Sequence, residues 1–180
     1  MEPNDLELWN ALEHKGYEAV SEAFAKRAAL CRLRFSILPS FGNPRVWSLL
    51  EPAHGQATPH WQAQMLRWER RRDYARFTNP TGRLGLRAQD APPLEPTLTP
   101  STVLLEAAWI EGWLARLAEV HIPVKTVPIL GMDGTTFELR LGDFWNSLEL
   151  RWWADHPEEW QPLFDLAREL LEALGDSDEA

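Results

Sequence analysis

The densest chemistry in this chain is the run Arg67-Trp-Glu-Arg-Arg-Arg-Asp-Tyr-Ala-Arg76, followed by Phe77, Arg83 and Arg87. Guanidinium groups interleaved with aromatic rings can grip phosphates and stack on bases. Arg70, Arg71, Arg72 and Tyr74 are therefore candidate binding residues. The whole chain, however, carries 18 Lys and Arg against 27 Asp and Glu, a formal charge of −9. Nucleic-acid modules tend to be basic. The preferred counterpart of the arginines is thus an acidic patch, on another protein or within the chain itself. Nucleic-acid binding through 67–87 is an alternative.

The histidines suggest a second chemistry. His54 and His60 flank Gly-Gln-Ala-Thr-Pro, and two imidazoles with Glu51 can hold a metal. Such a site would make a metal-assisted hydrolase. The spacing lacks the helical logic of His-Glu-x-x-His, so an exposed loop is the preferred reading and the hydrolase the alternative. His121 follows a helical stretch and His156 precedes Pro157, positions suited to meeting helix-end groups. Cys31, the single cysteine, reads as a buried inert thiol at the start of an alternating segment. Glu158 and Glu159 are adjacent and belong to a helix start, where they point apart. Asp133 in Asp-Gly-Thr reads as a turn residue. With no Gly-rich phosphate loop, Gly-x-Ser-x-Gly elbow or Cys-x-x-Cys pair, no cofactor is expected and enzymatic activity has no motif behind it.

These groups sit on a chain of 180 residues, 44% hydrophobic and 25% charged, which excludes disordered and collagenous classes. One thiol, an acidic Met1–Trp9 segment and no apolar leader favour a soluble, cytoplasmic protein. Thr102–Val120 is apolar but is broken by Glu106, Glu111 and Arg116, so no membrane span is expected. Three lysines against 15 arginines point to a GC-rich, bacterial genome. The charge is divided: −3 over residues 1–30, +7 over 31–89 and −13 over 90–180. Such a split suits a binding surface of one sign, or two parts that attract each other.

The elements that must position these residues follow from periodicity. A helix capped by Asn4 or Asp5 is expected to stop at Gly16, with a second helical stretch over Tyr17–Ala28. Cys31, Leu33, Phe35 and Ile37 alternate with Arg32, Arg34 and Ser36, a strand that returns through Val46–Leu50. A third strand is expected inside 64–76. The proline-rich stretch 90–100 reads as a linker, so one domain over 1–180 is expected to divide into 1–89 and 101–175. Trp109, Trp113 and Leu117 with Ile110 and Leu114 mark a helix over 105–119. In the hairpin 135–153, one register sets Phe137 by Trp152, Leu139 by Leu150, Leu141 by Leu148, Glu138 by Arg151 and Arg140 by Glu149. Trp152 and Trp153 then face opposite sides of the sheet. Either a helix covers the second side, the preferred reading, or Trp153 is an exposed binding anchor. Leu163 to Leu174 form a last helix ending at Gly175.

The segment Asp133-Gly-Thr-Thr-Phe-Glu-Leu139, a returning strand ending in Arg151-Trp-Trp153, and Pro157 before a leucine-rich helix resembles a group of short bacterial proteins of unassigned role. The resemblance spans about residues 131–175 and implies no catalytic residues. Some proteins of this look are suspected to neutralise toxins. The fold expected is α+β, an antiparallel sheet packed by several helices. The function expected is binding of another protein, a basic one given the acidic C-terminal half.

Overall fold

The strand pattern at residues 31–39 supplies the centre of the architecture. The computed structural model describes residues 3–22, 31–52, 60–78, 95–123, 134–142 and 147–176. Six strands, β1 (Cys31–Pro39), β2 (Arg45–Leu50), β3 (His60–Trp68), β4 (Leu98–Glu106), β5 (Thr135–Gly142) and β6 (Ser147–Trp153), form one sheet in the order β4-β3-β2-β1-β5-β6. Every neighbouring pair is antiparallel. Among the described residues four helices accompany them: α1 (Pro3–Glu22), α2 (Arg70–Thr78), α3 (Ala107–Ala118) and α4 (Gln161–Ala173), the last preceded by a 3-10 turn at Glu158–Trp160. The fold is α+β, and both groups of strands share the same sheet.

Side chains alternate across that sheet. Phe35, Trp47, Ala63, Phe137 and Trp152 point to one face, where Ile110, Trp113 and Leu117 of α3 and Leu163, Leu170 and Leu171 of α4 complete a core. The buried Trp113 donates its indole N–H to the Leu166 carbonyl at 2.9 Å, tying the two helices together. Beyond α4, Asp176 returns to the sheet and accepts from Arg45 Nε at 2.8 Å and Trp47 Nε1 at 2.7 Å. On the opposite face, α1 and α2 pack Trp9, Leu12, Val20 and Phe77 onto Val46 and Trp68.

The hairpin β5–β6 has the register expected from its two alternating patterns, Phe137 opposite Trp152 and Glu138 opposite Arg151. Other expectations are corrected. Gly16 does not stop a helix: α1 runs through it to Glu22. A Cβ there would overlap the ring of Trp68, so glycine is where the helix lies directly on the indole. The expected strand inside 64–76 begins earlier, at His60, and ends at Trp68. Residues 70–78 turn into α2 because Asn43, from the β1–β2 turn, accepts the Arg71 N–H at 3.1 Å and Glu69 accepts the Asp73 N–H at 2.9 Å. Residues 98–100, read as linker, belong to β4. Pro100 is tolerated because β4 is an edge strand, where a missing N–H interrupts no second ladder. Cys31 is not in phase with Leu33. A bulge pairs Cys31 with Leu50 and Leu33 with Leu49, which places Cys31 on the other face.

None of the described helices is long and apolar enough to cross a membrane.

Two helical glycines give opposite expectations. Alanine gains about 0.5–1 kcal/mol over glycine inside a helix, but overpacking a filled site costs about 1–3 kcal/mol. Gly16→Ala should therefore lower the urea midpoint. Gly112→Ala, on an exposed stretch of α3 with nothing within 4 Å of the added methyl, should raise it. Equal shifts of the same sign in urea melts would contradict the packing assigned to Trp68.

Candidate functional site

The arginine run is divided between the end of β3 and α2, and most of it is committed to the fold. Arg67 pairs with Glu69 at 2.8 Å. Arg70 pairs with Glu13 of α1, donates to the Ser40 carbonyl at 2.9 Å, and lies 5.9 Å from the Trp9 ring centroid. Arg71 donates to the Phe41 carbonyl at 3.4 Å. Arg76 reaches both Asp73, at 3.2 Å, and Thr97 Oγ1, at 3.1 Å. Arg72 is exposed and makes no side-chain hydrogen bond or ion pair among the described residues. Tyr74 is half exposed, its ring edge-on to Trp9 at 5.0 Å. Arg71, Arg72 and Tyr74 all lie on α2, but Arg72 and Tyr74 leave it on different sides, and of the three Arg71 is the one that reaches the exposed Phe41.

Asp73 explains why this segment is held so firmly. It is 1% exposed. Its carboxylate accepts from Trp68 Nε1 at 2.9 Å, the Thr97 N–H at 2.7 Å and Thr97 Oγ1 at 2.6 Å. Burial acts to raise its pKa, but these bonds and the neighbouring Arg76 outweigh that and hold it below the ordinary carboxylate value. The group is a structural tie between β3, α2 and the start of β4.

The other sequence candidates are separated. His60 stands exposed at the start of β3, opposite Glu106, and His54 lies outside the described residues, as do Asp133, Arg83 and Arg87. No group of three or more described His, Cys, Asp or Glu side chains could hold a metal ion. Trp153 is half-buried against Gly134, on the face opposite Trp152; a Cβ on Gly134 would lie 2.7 Å from its Nε1. That indole nitrogen and those of Trp152 and Trp160 have no hydrogen-bond partner among the described residues. His121 meets the Glu119 carbonyl at 2.7 Å, just past α3. His156 accepts or donates to Gln161 at 3.1 Å and stacks on Phe164 at 4.5 Å, supporting the start of α4. Cys31 is half-buried; burial pushes its thiol pKa up, against lowering by Ser48 and Arg34.

Residue-by-residue reading missed an apolar groove. A groove of about 410 Å³ opens where α3 ends over the β5–β6 hairpin. It is lined by Leu114, Leu117 and Ala118 of α3, Val120 and Ile122 just beyond it, Leu141 of β5, Leu148 and Leu150 of β6, and Leu163 of α4. Leu148 is 55% exposed. Val120 also borders a neighbouring open cleft of about 560 Å³, lined by Glu119, His121, Asp165, Glu169 and Arg116. There Arg116 Nη1 is held by Glu169 at 2.8 Å and Arg168 by Asp165 at 3.0 Å, so the arginines are already occupied by carboxylates. The layer formed by residues 107–123 and 158–176 carries eight carboxylates against two arginines, a net −6. The arrangement offers apolar contact beside negative charge, with no nucleophile or acid–base pair set into the groove.

No family model and no curated protein matches the sequence. One solved structure, "Crystal structures of trypanosoma bruciei MRP1/MRP2", is similar over 87% of this chain and 95% of its own, at 12% identity and a TM-score of 0.26. At that score the likeness carries no weight for fold or function.

The Asp73 carboxylate has a pH signature. Its pKa is lower folded than unfolded, so its contribution is complete above the unfolded value, about 4, and is lost as pH falls through the folded value. Asp73→Asn should destabilise the protein by about 1–3 kcal/mol at pH 7. The gap between variant and wild type, from urea melts at stepped pH, should narrow below about pH 4. A gap unchanged from pH 7 to pH 3 would contradict the ionised, fully bonded state.

Proposed function

We propose that this protein is a binding module for another protein, and that the groove between α3 and the β5–β6 hairpin is its recognition surface. The observation that carries the reading is the groove itself: nine aliphatic side chains from four segments surround a concave space, beside a strongly acidic helical layer. Concave apolar sites with charge at one side bind amphipathic segments, the apolar stripe entering the groove and the charged flank facing the rim. Negative rim charge selects a basic flank. A basic protein, such as a nuclease toxin held neutral by its partner, has that chemistry, consistent with the role suspected for the proteins the C-terminal segment resembles.

A synthetic Leu/Lys peptide with leucines at helical i, i+3, i+4 and i+7 spacing supplies a probe. By fluorescence anisotropy it should bind at low salt, and its Leu/Glu counterpart should not. Leu148→Ser removes an exposed groove side chain and should weaken the Leu/Lys peptide by about tenfold, roughly 1.4 kcal/mol. Equal binding of both peptides, or no effect of Leu148→Ser, would overturn the assignment.

A further inference from the structure

The sheet ends in two edges, and they are built differently. At the β4 edge, the Glu69 N–H bonds the Thr97 carbonyl just past the Trp68–Leu98 pair. Alternate residues from Leu98 onward, Pro100 among them, therefore direct their backbone groups away from β3. Pro100 removes a donor from that outer side, which blunts the edge against further strands. β6 carries no proline, and no described strand lies beyond it. Its Trp153 pairs with Thr136, and just past them the Ala154 N–H bonds the Thr135 carbonyl at 2.8 Å. Leu148, Leu150 and Trp152 thus bond to β5, while Ser147, Glu149, Arg151 and Trp153 point their N–H and C=O groups outward.

The side chains of β6 are complementary about Leu150. Leu148 and Trp152 flank it on the face that α3 and α4 cover, and the exposed Glu149 and Arg151 flank it on the other. Laid antiparallel on itself about Leu150, the strand sets each Glu149 opposite an Arg151, each Leu148 opposite a Trp152, and each Ser147 opposite a Trp153. The residues paired on the charged face are those whose backbone groups point outward, so the ladder falls in phase. Sliding by two residues opposes Glu149 to Glu149, or Arg151 to Arg151, and like charges directly opposite are destabilising. Sliding by one mixes the two faces and sets outward backbone groups against inward ones. Within the chain Arg151 already lies 3.3 Å from Glu138, and Arg140 stands opposite Glu149. Across the joined strands each row then reads Glu138, Arg151, Glu149, Arg140, the sign alternating at every step.

We propose that β6 is a self-recognition edge, on which two copies of this chain pair antiparallel about Leu150 into one continuous sheet. The contact is isologous: the two-fold axis stands normal to the sheet, so the α3–α4 layers of both copies lie on the same face. Both β6 edges are consumed, and the edges left outward are the two blunted by Pro100, so association stops at the dimer. Each copy carries −9. At physiological ionic strength charges more than about 8 Å apart are largely screened, whereas directly opposed side chains, about 5 Å apart, stay within that range. The inference is independent of the groove reading, since it uses the main-chain edge of β6 and the charged face.

Charge exchange tests the register. Glu149→Arg opposes arginine to arginine at both charged positions of the pair, and Arg151→Glu opposes glutamate to glutamate. Both positions are exposed, so each variant should keep the wild-type circular dichroism. By sedimentation velocity at physiological salt, wild type should pass from monomer to dimer as its concentration rises, with nothing larger. Each variant alone should dimerise about tenfold more weakly or worse. An equimolar mixture should recover the dimer as a heterodimer, because opposite charges again meet at both positions. Glu149→Pro, which gives β6 the device β4 has at Pro100, should be monomeric and should not be rescued by either variant. Wild type that stays monomeric from micromolar to near-millimolar concentration, assembly beyond the dimer, or a mixture no more associated than its components would overturn the proposal. A monomeric wild type that binds the Leu/Lys peptide removes this inference alone; a dimer that does not bind it removes the groove reading alone.

Discussion

One indole N–H organises an entire side of this protein. Trp68 has no exposed surface, and a buried N–H without an acceptor costs about 1–3 kcal/mol. Its acceptor is Asp73, itself buried, and a buried carboxylate is tolerable only when several donors surround it. Thr97 provides two of these and Arg76 another. The demand of one ring thus sets the pitch of α2 and the point at which the chain enters β4. The same ring sets the other boundary. Trp9 stacks over it at 6.4 Å and Tyr17 meets it edge-on at 5.6 Å. Between them α1 comes so close that only glycine fits at position 16.

The arginines are best understood from this centre. Arg70 and Arg76 serve the α1–α2–β4 junction, and Arg34 on β1 donates to the Val20 carbonyl at 3.2 Å and to that of Ser21, terminating α1. A basic run that looks in sequence like a ligand-binding strip is largely a set of structural ties. What it leaves outside these ties is narrow: the exposed Arg72 and the half-exposed Tyr74. On the other face the packing stops short instead. The α3–α4 pair, joined through Trp113, covers the middle strands but leaves the Leu141–Leu148–Leu150 end of the hairpin open.

What was legible in the sequence depended on whether the cause of a feature lay nearby. The β5–β6 register could be read because apolar and charged alternations agree across only a short turn, so one pairing satisfies both faces. The α3 and α4 stripes could be read because each helix has a single buried side. The end of β3 could not, since Asn43, nearly thirty residues upstream, starts α2. Nor could the continuity of α1 through Gly16, whose reason is Trp68 on another element. β4 gave no alternation because its edge position leaves only Leu105 buried. The groove assembles from four separated segments, none of which is unusual alone, so no local motif announces it.

The pairing of charges also changes what the composition means for recognition. Counting residues distributes the negative charge evenly over the C-terminal half. The ion pairs do not. Arg45 neutralises Asp176, Arg116 neutralises Glu169, Arg151 lies 3.3 Å from Glu138, and Arg168 answers Asp165. Glu111, Glu119, Glu158, Glu159 and Glu172 have no ion-pair partner among the described residues, and all are exposed on the helical layer beside the groove. Exposed single pairs contribute at most about 1 kcal/mol to stability, so these unpaired acids cost little there. Their consequence is a negative potential over that helical layer, and such a potential favours encounter with cationic over anionic surfaces. Stability alone would be served as well by interspersed charges, so the uneven placement is not a requirement of the fold.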